Sequence, residues 1–139
     1  MRTAKAVDTA AADAPPLTVL VADDEPLVVD ILQGLLEGAG CRVMTASDGG
    51  KVVEVFRENA GAIGCVILDL SMPQLSGIEA ARRIRAIRGD TPIILASGSD
   101  KTETNQHLDG VVSACIVKPF RFDQVWSVLM AVTGRGEPK

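Results

Sequence analysis

The stretch Cys65-Val66-Ile67-Leu68-Asp69 constrains the fold more than any other part of the chain. A short apolar run with β-branched residues, followed at once by a carboxylate, predicts a strand buried on both faces. Pro73 and Gly77 break that strand and shape a loop. Such a strand belongs to a parallel α/β sheet, whose chemistry lies outside the carboxyl ends of its strands, where Asp69 falls. A second apolar run, Leu17 to Ala22, leads into Asp23 and Asp24. Any fold that sets these two strands side by side gathers three carboxylates. Like charges at close range repel unless a cation joins them, and hard Mg²⁺ prefers oxygen ligands of this kind.

The remaining chain alternates in the same way. After a tail over residues 1–16, the reading is strand 17–22, then a helix opened by Pro26 and stopped by Gly38-Ala39-Gly40. Leu27, Val28, Ile31, Leu32, Leu35 and Leu36 recur at helical spacing, so one face of that helix is expected to be buried. Cys41 to Ala46 predicts a second strand, and Asp48 caps a helix containing Val52, Val53, Val55 and Phe56. Beyond the third strand, Ile78, Ala81, Ile84 and Ile87 predict a helix with its arginines turned outward to solvent. The fourth strand is Ile93 to Ala96, ending on Ser97-Gly98-Ser99, with a polar helix expected over about 101–109. The fifth, Val111 to Val117, ends on Lys118-Pro119-Phe120, and a last helix over 121–133 buries Trp126 with Leu129 and Met130. Gly134 to Lys139 reads as a short tail, which leaves residues 17–133 as the folded domain.

Five strands alternating with helices predict a doubly wound, five-stranded parallel sheet in flavodoxin-like order 2-1-3-4-5, with helices on both faces. In that order the first and third strands are neighbours, as the three acids require. The length of 139 residues suits one domain and one core. A net charge of −4 disfavours direct nucleic-acid binding, since phosphate contacts need a basic surface. Cys41, Cys65 and Cys115 lie in apolar runs without metal-ligand spacing and read as core residues in a reducing compartment. With no signal peptide and no membrane-length apolar run, a cytoplasmic setting is expected. His107 reads as a residue on a solvated helix.

Asp23, Asp24, Asp69, Ser97 and Lys118 thus all follow strands and would face one crevice. Their chemistry suits phosphoryl transfer to Asp69, with Ser97 donating a hydrogen bond and Lys118 pairing with a phosphoryl oxygen. Asp23-Asp24-Glu25-Pro26, Asp69-Leu70-Ser71-Met72-Pro73 with Gly77, Ser97, and Lys118-Pro119-Phe120 occur in one order across nearly the whole chain. In this the sequence resembles the receiver domain of two-component response regulators. The resemblance implies that a histidine kinase or histidine phosphotransfer protein supplies the phosphoryl group from a phosphohistidine. It further implies Mg²⁺ ligation by Asp24, Asp69 and the backbone carbonyl of Ser71, with Asp23 acting through water, and a cis Lys118-Pro119 bond. One departure stands out: the resemblance implies Tyr, Phe or His at the position of Cys115, where an aromatic ring would couple Ser97 to the outer face of the fifth strand.

The expected function is therefore a phosphorylation-controlled switch rather than an enzyme on outside substrates, acting through a downstream protein or a relay. It would be a single-domain regulator or a receiver excised from a hybrid histidine kinase. The face of the fifth strand and last helix is a candidate dimer surface. An aspartate-nucleophile phosphatase of the haloacid-dehalogenase type is the enzyme alternative, disfavoured because Ser71 stands where its second acid belongs and the nucleophile follows the third strand. A flavin-binding module of the same fold is disfavoured because the chain has only four Phe and Trp residues and no evident phosphate-cradling loop after its first strand. The intact acidic set argues against an interaction module that works without phosphorylation.

Overall fold

In the computed structural model, the apolar runs form β1 (Thr18–Ala22), β2 (Arg42–Ala46), β3 (Cys65–Asp69), β4 (Ile93–Ser97) and β5 (Ala114–Val117). The structure describes residues 16–98 and 110–135. All pairings are parallel and the sheet order is β2-β1-β3-β4-β5, as the sequence predicts. Among the described residues the helices are α1 (Pro26–Gly38), α2 (Gly49–Asn59), α3 (Gly77–Ile87) and α4 (Phe122–Thr133). The helix expected over 101–109, with His107, lies outside the described residues, as do both expected tails apart from Pro16 and residues 134–135.

Strand alternation divides the core into two layers. Leu20, Val66, Leu68 and Leu95 face α2 and α3, meeting Val52, Phe56, Ala80 and Ile84. Val19, Val21, Ile67 and Ile94 face α1 and α4, meeting Leu32, Leu36, Val125 and Leu129. Because β3 and β4 are buried along their whole lengths, their sequences run apolar without alternation up to Asp69 and Ser97. Each such aliphatic side chain contributes roughly 1.5–3 kcal/mol of transfer free energy. The helix starts are fixed locally: Asp48 Oδ1 accepts the Lys51 N–H at 2.7 Å, and Ser76 Oγ accepts that of Glu79 at 3.2 Å.

Three expectations need correction. First, α1 does not bury all its apolar residues: Leu32 and Leu36 are covered, but Leu27, Ile31 and Leu35 are 70%, 52% and 43% exposed. The apolar arc is wider than the strip the sheet and α4 cover, so the residues at i, i+4 and i+8 form a second, exposed stripe. Second, the arginines of α3 are not all solvated. Arg85 donates to the carbonyls of Val111, Gly89 and Thr91 at 2.8–3.0 Å, and Arg88 donates to those of Ala60 and Ile63 at 2.6 and 2.7 Å. Third, β5 starts at Ala114 rather than Val111. Gly110 turns the chain at φ 74, and Ser113 exchanges bonds with the edge of β4: its N–H donates to Ile93 O at 2.7 Å and its Oγ accepts the Ile93 N–H at 3.1 Å.

Candidate functional site

Register brings the strand-end residues together. Ala22 pairs with Leu68, so Asp23 and Asp69 emerge side by side at the point between β1 and β3 where the strand order reverses. Asp69 pairs with Ala96, which sets Ser97 one step further along the neighbouring strand. Ser97 pairs with Val117, and the Lys118 N–H donates to the Ser97 carbonyl at 2.7 Å. The Lys118–Pro119 peptide bond is cis.

One ammonium serves several carboxylates. Lys118 Nζ lies 2.9 Å from Asp23 Oδ2, 3.1 Å from Asp69 Oδ1 and 3.5 Å from Glu25 Oε1. Asp23 Oδ1 accepts the Glu25 N–H at 3.0 Å, so both oxygens of this buried carboxylate are engaged. Asp24, by contrast, is exposed. One oxygen from each of Asp23, Asp24 and Asp69 falls within 4.8 Å of the others. With Glu25 included, acids outnumber Lys118, and the surplus of hard oxygen donors fits a divalent cation such as Mg²⁺.

The electrostatics follow from burial and sharing. Burial pushes the Asp69 carboxyl above its ordinary range; the hydrogen bond from Lys118 opposes this, and the charges of Asp23 and Asp24 reinforce it. Burial pulls Lys118 down, but its hydrogen bonds to Asp23 and Asp69 reverse that and leave its pKa above that of an ordinary lysine. The two directions are compatible because Lys118 gains two partners while Asp69 shares one.

The other expected site residues differ in exposure. Ser97 is buried at the end of β4. Ser71 is exposed on the loop after Asp69. Cys115 is half-buried on β5, beside Leu95, and packs against the core layer of α2 and α3. Sequence reasoning gave Glu25 no role of its own, although its place in an acidic run was the available signal. It also missed a cleft of about 360 Å³ beside Asp23 and Asp24, lined by Asp30, Thr45, Ser47 and Lys51 as well. These residues belong to separate elements, so no local pattern announces them.

Buried thiols lie elsewhere. Burial pushes Cys65 up to about 12, with the Val66 hydrogen bond opposing, and Cys41 is raised by the same cause.

Comparison with known proteins gives a consistent result. A family model described as the response regulator receiver domain matches residues 19–130. The probable transcriptional regulatory protein TcrX of Mycobacterium tuberculosis is 29% identical over 127 residues, covering 89% of this chain and 53% of that protein. The chain thus spans about half the length of the curated relatives it matches. Among solved structures, a response regulator receiver domain protein from Clostridium thermocellum aligns with a TM-score of 0.81 at 28% identity, covering 86% of this chain and 95% of that one. The CheX–CheY–BeF3–Mg²⁺ complex from Borrelia burgdorferi contributes a chain that aligns with a TM-score of 0.80 at 28% identity, covering 84% and 89%. With the sheet order, the strand-end acids and the family match in agreement, this chain belongs to the receiver domains of response regulators, the phospho-accepting modules of two-component signalling.

Proposed function

We propose that Asp69 is the residue of this chain that accepts the phosphoryl group, from a phosphohistidine on a histidine kinase or histidine phosphotransfer protein. The observation that carries this reading is the cluster of Asp23, Asp24 and Asp69 at the ends of β1 and β3, with Lys118 at the end of β5 paired to Asp23 and Asp69. An Asp69 carboxylate oxygen attacks phosphorus, the P–N bond breaks, and its electron pair returns to the imidazole. Lys118 steadies one transferred oxygen and Ser97 donates to another.

Receiver domains bind Mg²⁺ at an acidic site. Here Asp24, Asp69 and the Ser71 carbonyl would hold the ion, and Asp23 would stand behind them. Asp24 is open to solvent whereas both oxygens of Asp23 are already engaged, which favours this division. When bound, Mg²⁺ offsets the negative charge of the carboxylates and of the transferring oxygens.

The phosphodonor protein docks on the exposed stripe of α1. Leu27 follows closely on Asp24 in sequence, so a macromolecule reaching into the cleft would cover the apolar surface beside it. On the output side, a phosphoryl group at Asp69 draws Ser97 inward. Cys115 is too small to turn as an aromatic ring would, so the change stays mostly near the end of β4. The effect on other proteins is a change in binding, not chemistry on an outside substrate.

Hydride reduction of the phosphorylated protein, followed by peptide mapping, tests the acceptor. Conversion of residue 69 alone is expected, and conversion at Asp23 or Asp24 would reject the assignment.

A further inference from the structure

The loop after Asp69 is held from several sides. The Leu70 N–H donates to Ala96 O at 2.8 Å, and the Gly77 N–H donates to Leu70 O at 2.8 Å, closing the loop at its base. Within it the Leu75 N–H reaches back to Pro73 O at 2.8 Å, and Gln74 between them has φ 74. This is a γ-turn in its rarer form, with a non-glycine residue in a sparsely populated conformation that its surroundings must maintain. Met72 is anchored in the core.

A further support comes from a distant part of the chain. At the N-terminus of α2, the Gly49 N–H lies 3.4 Å from Pro73 O. A Cβ on Gly49 would overlap the Leu75 carbonyl oxygen and lie 2.6 Å from Leu75 Cβ and 2.7 Å from the Leu75 carbonyl carbon. Most of these atoms are backbone, so the loop or the helix would have to move. Gly50 differs sharply: a Cβ there would meet only Asp48 Oδ1, at an ordinary 3.5 Å.

We infer that Gly49 is a positioning residue for the metal site: its missing side chain lets α2 seat against Pro73–Leu75 and hold the loop so that the Ser71 carbonyl faces the acids. The inference rests on the reading that this carbonyl completes the Mg²⁺ ligand set. By linkage, if the Gly49 contact favours the metal-competent loop, bound Mg²⁺ must favour the Gly49 contact equally.

Calorimetric Mg²⁺ titration of wild type, Gly49→Ala and Gly50→Ala tests this, alongside urea midpoints. In Gly49→Ala the Mg²⁺ affinity is expected to fall about tenfold, as loss of outer support does at other metal sites. At saturating Mg²⁺, phosphorylation by an acyl phosphate should approach the wild-type rate. Gly50→Ala should keep wild-type affinity. An unchanged affinity in folded Gly49→Ala, whatever its stability, would overturn the inference. Hydrogen exchange in the wild type supplies a readout free of substitution. Saturating Mg²⁺ should slow exchange of the Gly49 amide, and unchanged protection would contradict the inference. If wild type binds no Mg²⁺, the metal-site reading itself fails and this inference with it. If wild type binds Mg²⁺ and Gly49→Ala binds it equally well, the inference fails alone.

Discussion

Asp69, the proposed acceptor, costs the fold stability. Its carboxyl is held above the ordinary range chiefly by burial, so the folded state binds that proton more tightly than the unfolded chain does. Between the ordinary aspartate pKa of about 3.9 and the raised folded value, stability of the metal-free protein therefore falls as pH rises, and it stays lower at neutrality. Asp69→Asn is expected to raise the metal-free urea midpoint at pH 7 and to lose that advantage near pH 3, where the carboxyl is protonated in both states. Lys118 acts in the opposite sense. Removing it as Lys118→Ala leaves Asp23 and Asp69 facing each other without a cation, at a cost of roughly 2 kcal/mol in urea unfolding without Mg²⁺. Since its pKa is raised, that contribution is fully present below the unfolded lysine value of about 10.4 and is lost only above it. The loss measured for Lys118→Ala should thus not shrink as pH rises below about 10, because Asp69, without Lys118 to hold it down, costs the variant more as it ionises.

At the scale of elements, local signals and tertiary consequences part company. Strands and helix starts were legible because β-branched runs, Pro26, Asp48 and Gly77 act on their own neighbourhoods. The coverage of α1 was not, because helical spacing shows which residues share a face but not how much of it the neighbours cover. Ile31→Glu should therefore change stability by no more than about 0.5 kcal/mol. It should slow phosphotransfer from a phosphohistidine protein while leaving phosphorylation by acetyl phosphate at its wild-type rate; equal slowing of both would reject α1 as the donor surface. The arginine run of α3 misled in the other direction. Arg85 ties the end of α3 to Thr91 ahead of β4 and to Val111 ahead of β5, contacts with no short-range signature. Arg85→Ala should cost about 2 kcal/mol through the carbonyls it abandons, a loss that a chemical denaturation curve would resolve. Arg83→Ala, whose side chain makes an exposed pair with Glu79, should cost a few tenths of a kcal/mol at most.

Across the whole molecule, the sheet order converts scattered letters into a site. Asp23, Asp69 and Lys118 are far apart in sequence, yet parallel strands with adjoining registers deliver them to one crevice. The acids were legible because each ends an apolar run. The sharing of Lys118 among Asp23, Asp69 and Glu25 was not, because it depends on side-chain reach across separate strands. The contact of Gly49 with Leu75 was hidden for the same reason. The most direct test of the central claim is intact-mass analysis of the protein after incubation with a small acyl-phosphate donor, with and without Mg²⁺. The account predicts a single phosphoryl adduct on the wild type that requires Mg²⁺ and is absent from Asp69→Asn. An adduct formed to the same level on Asp69→Asn, or on the wild type without any divalent cation, would contradict it.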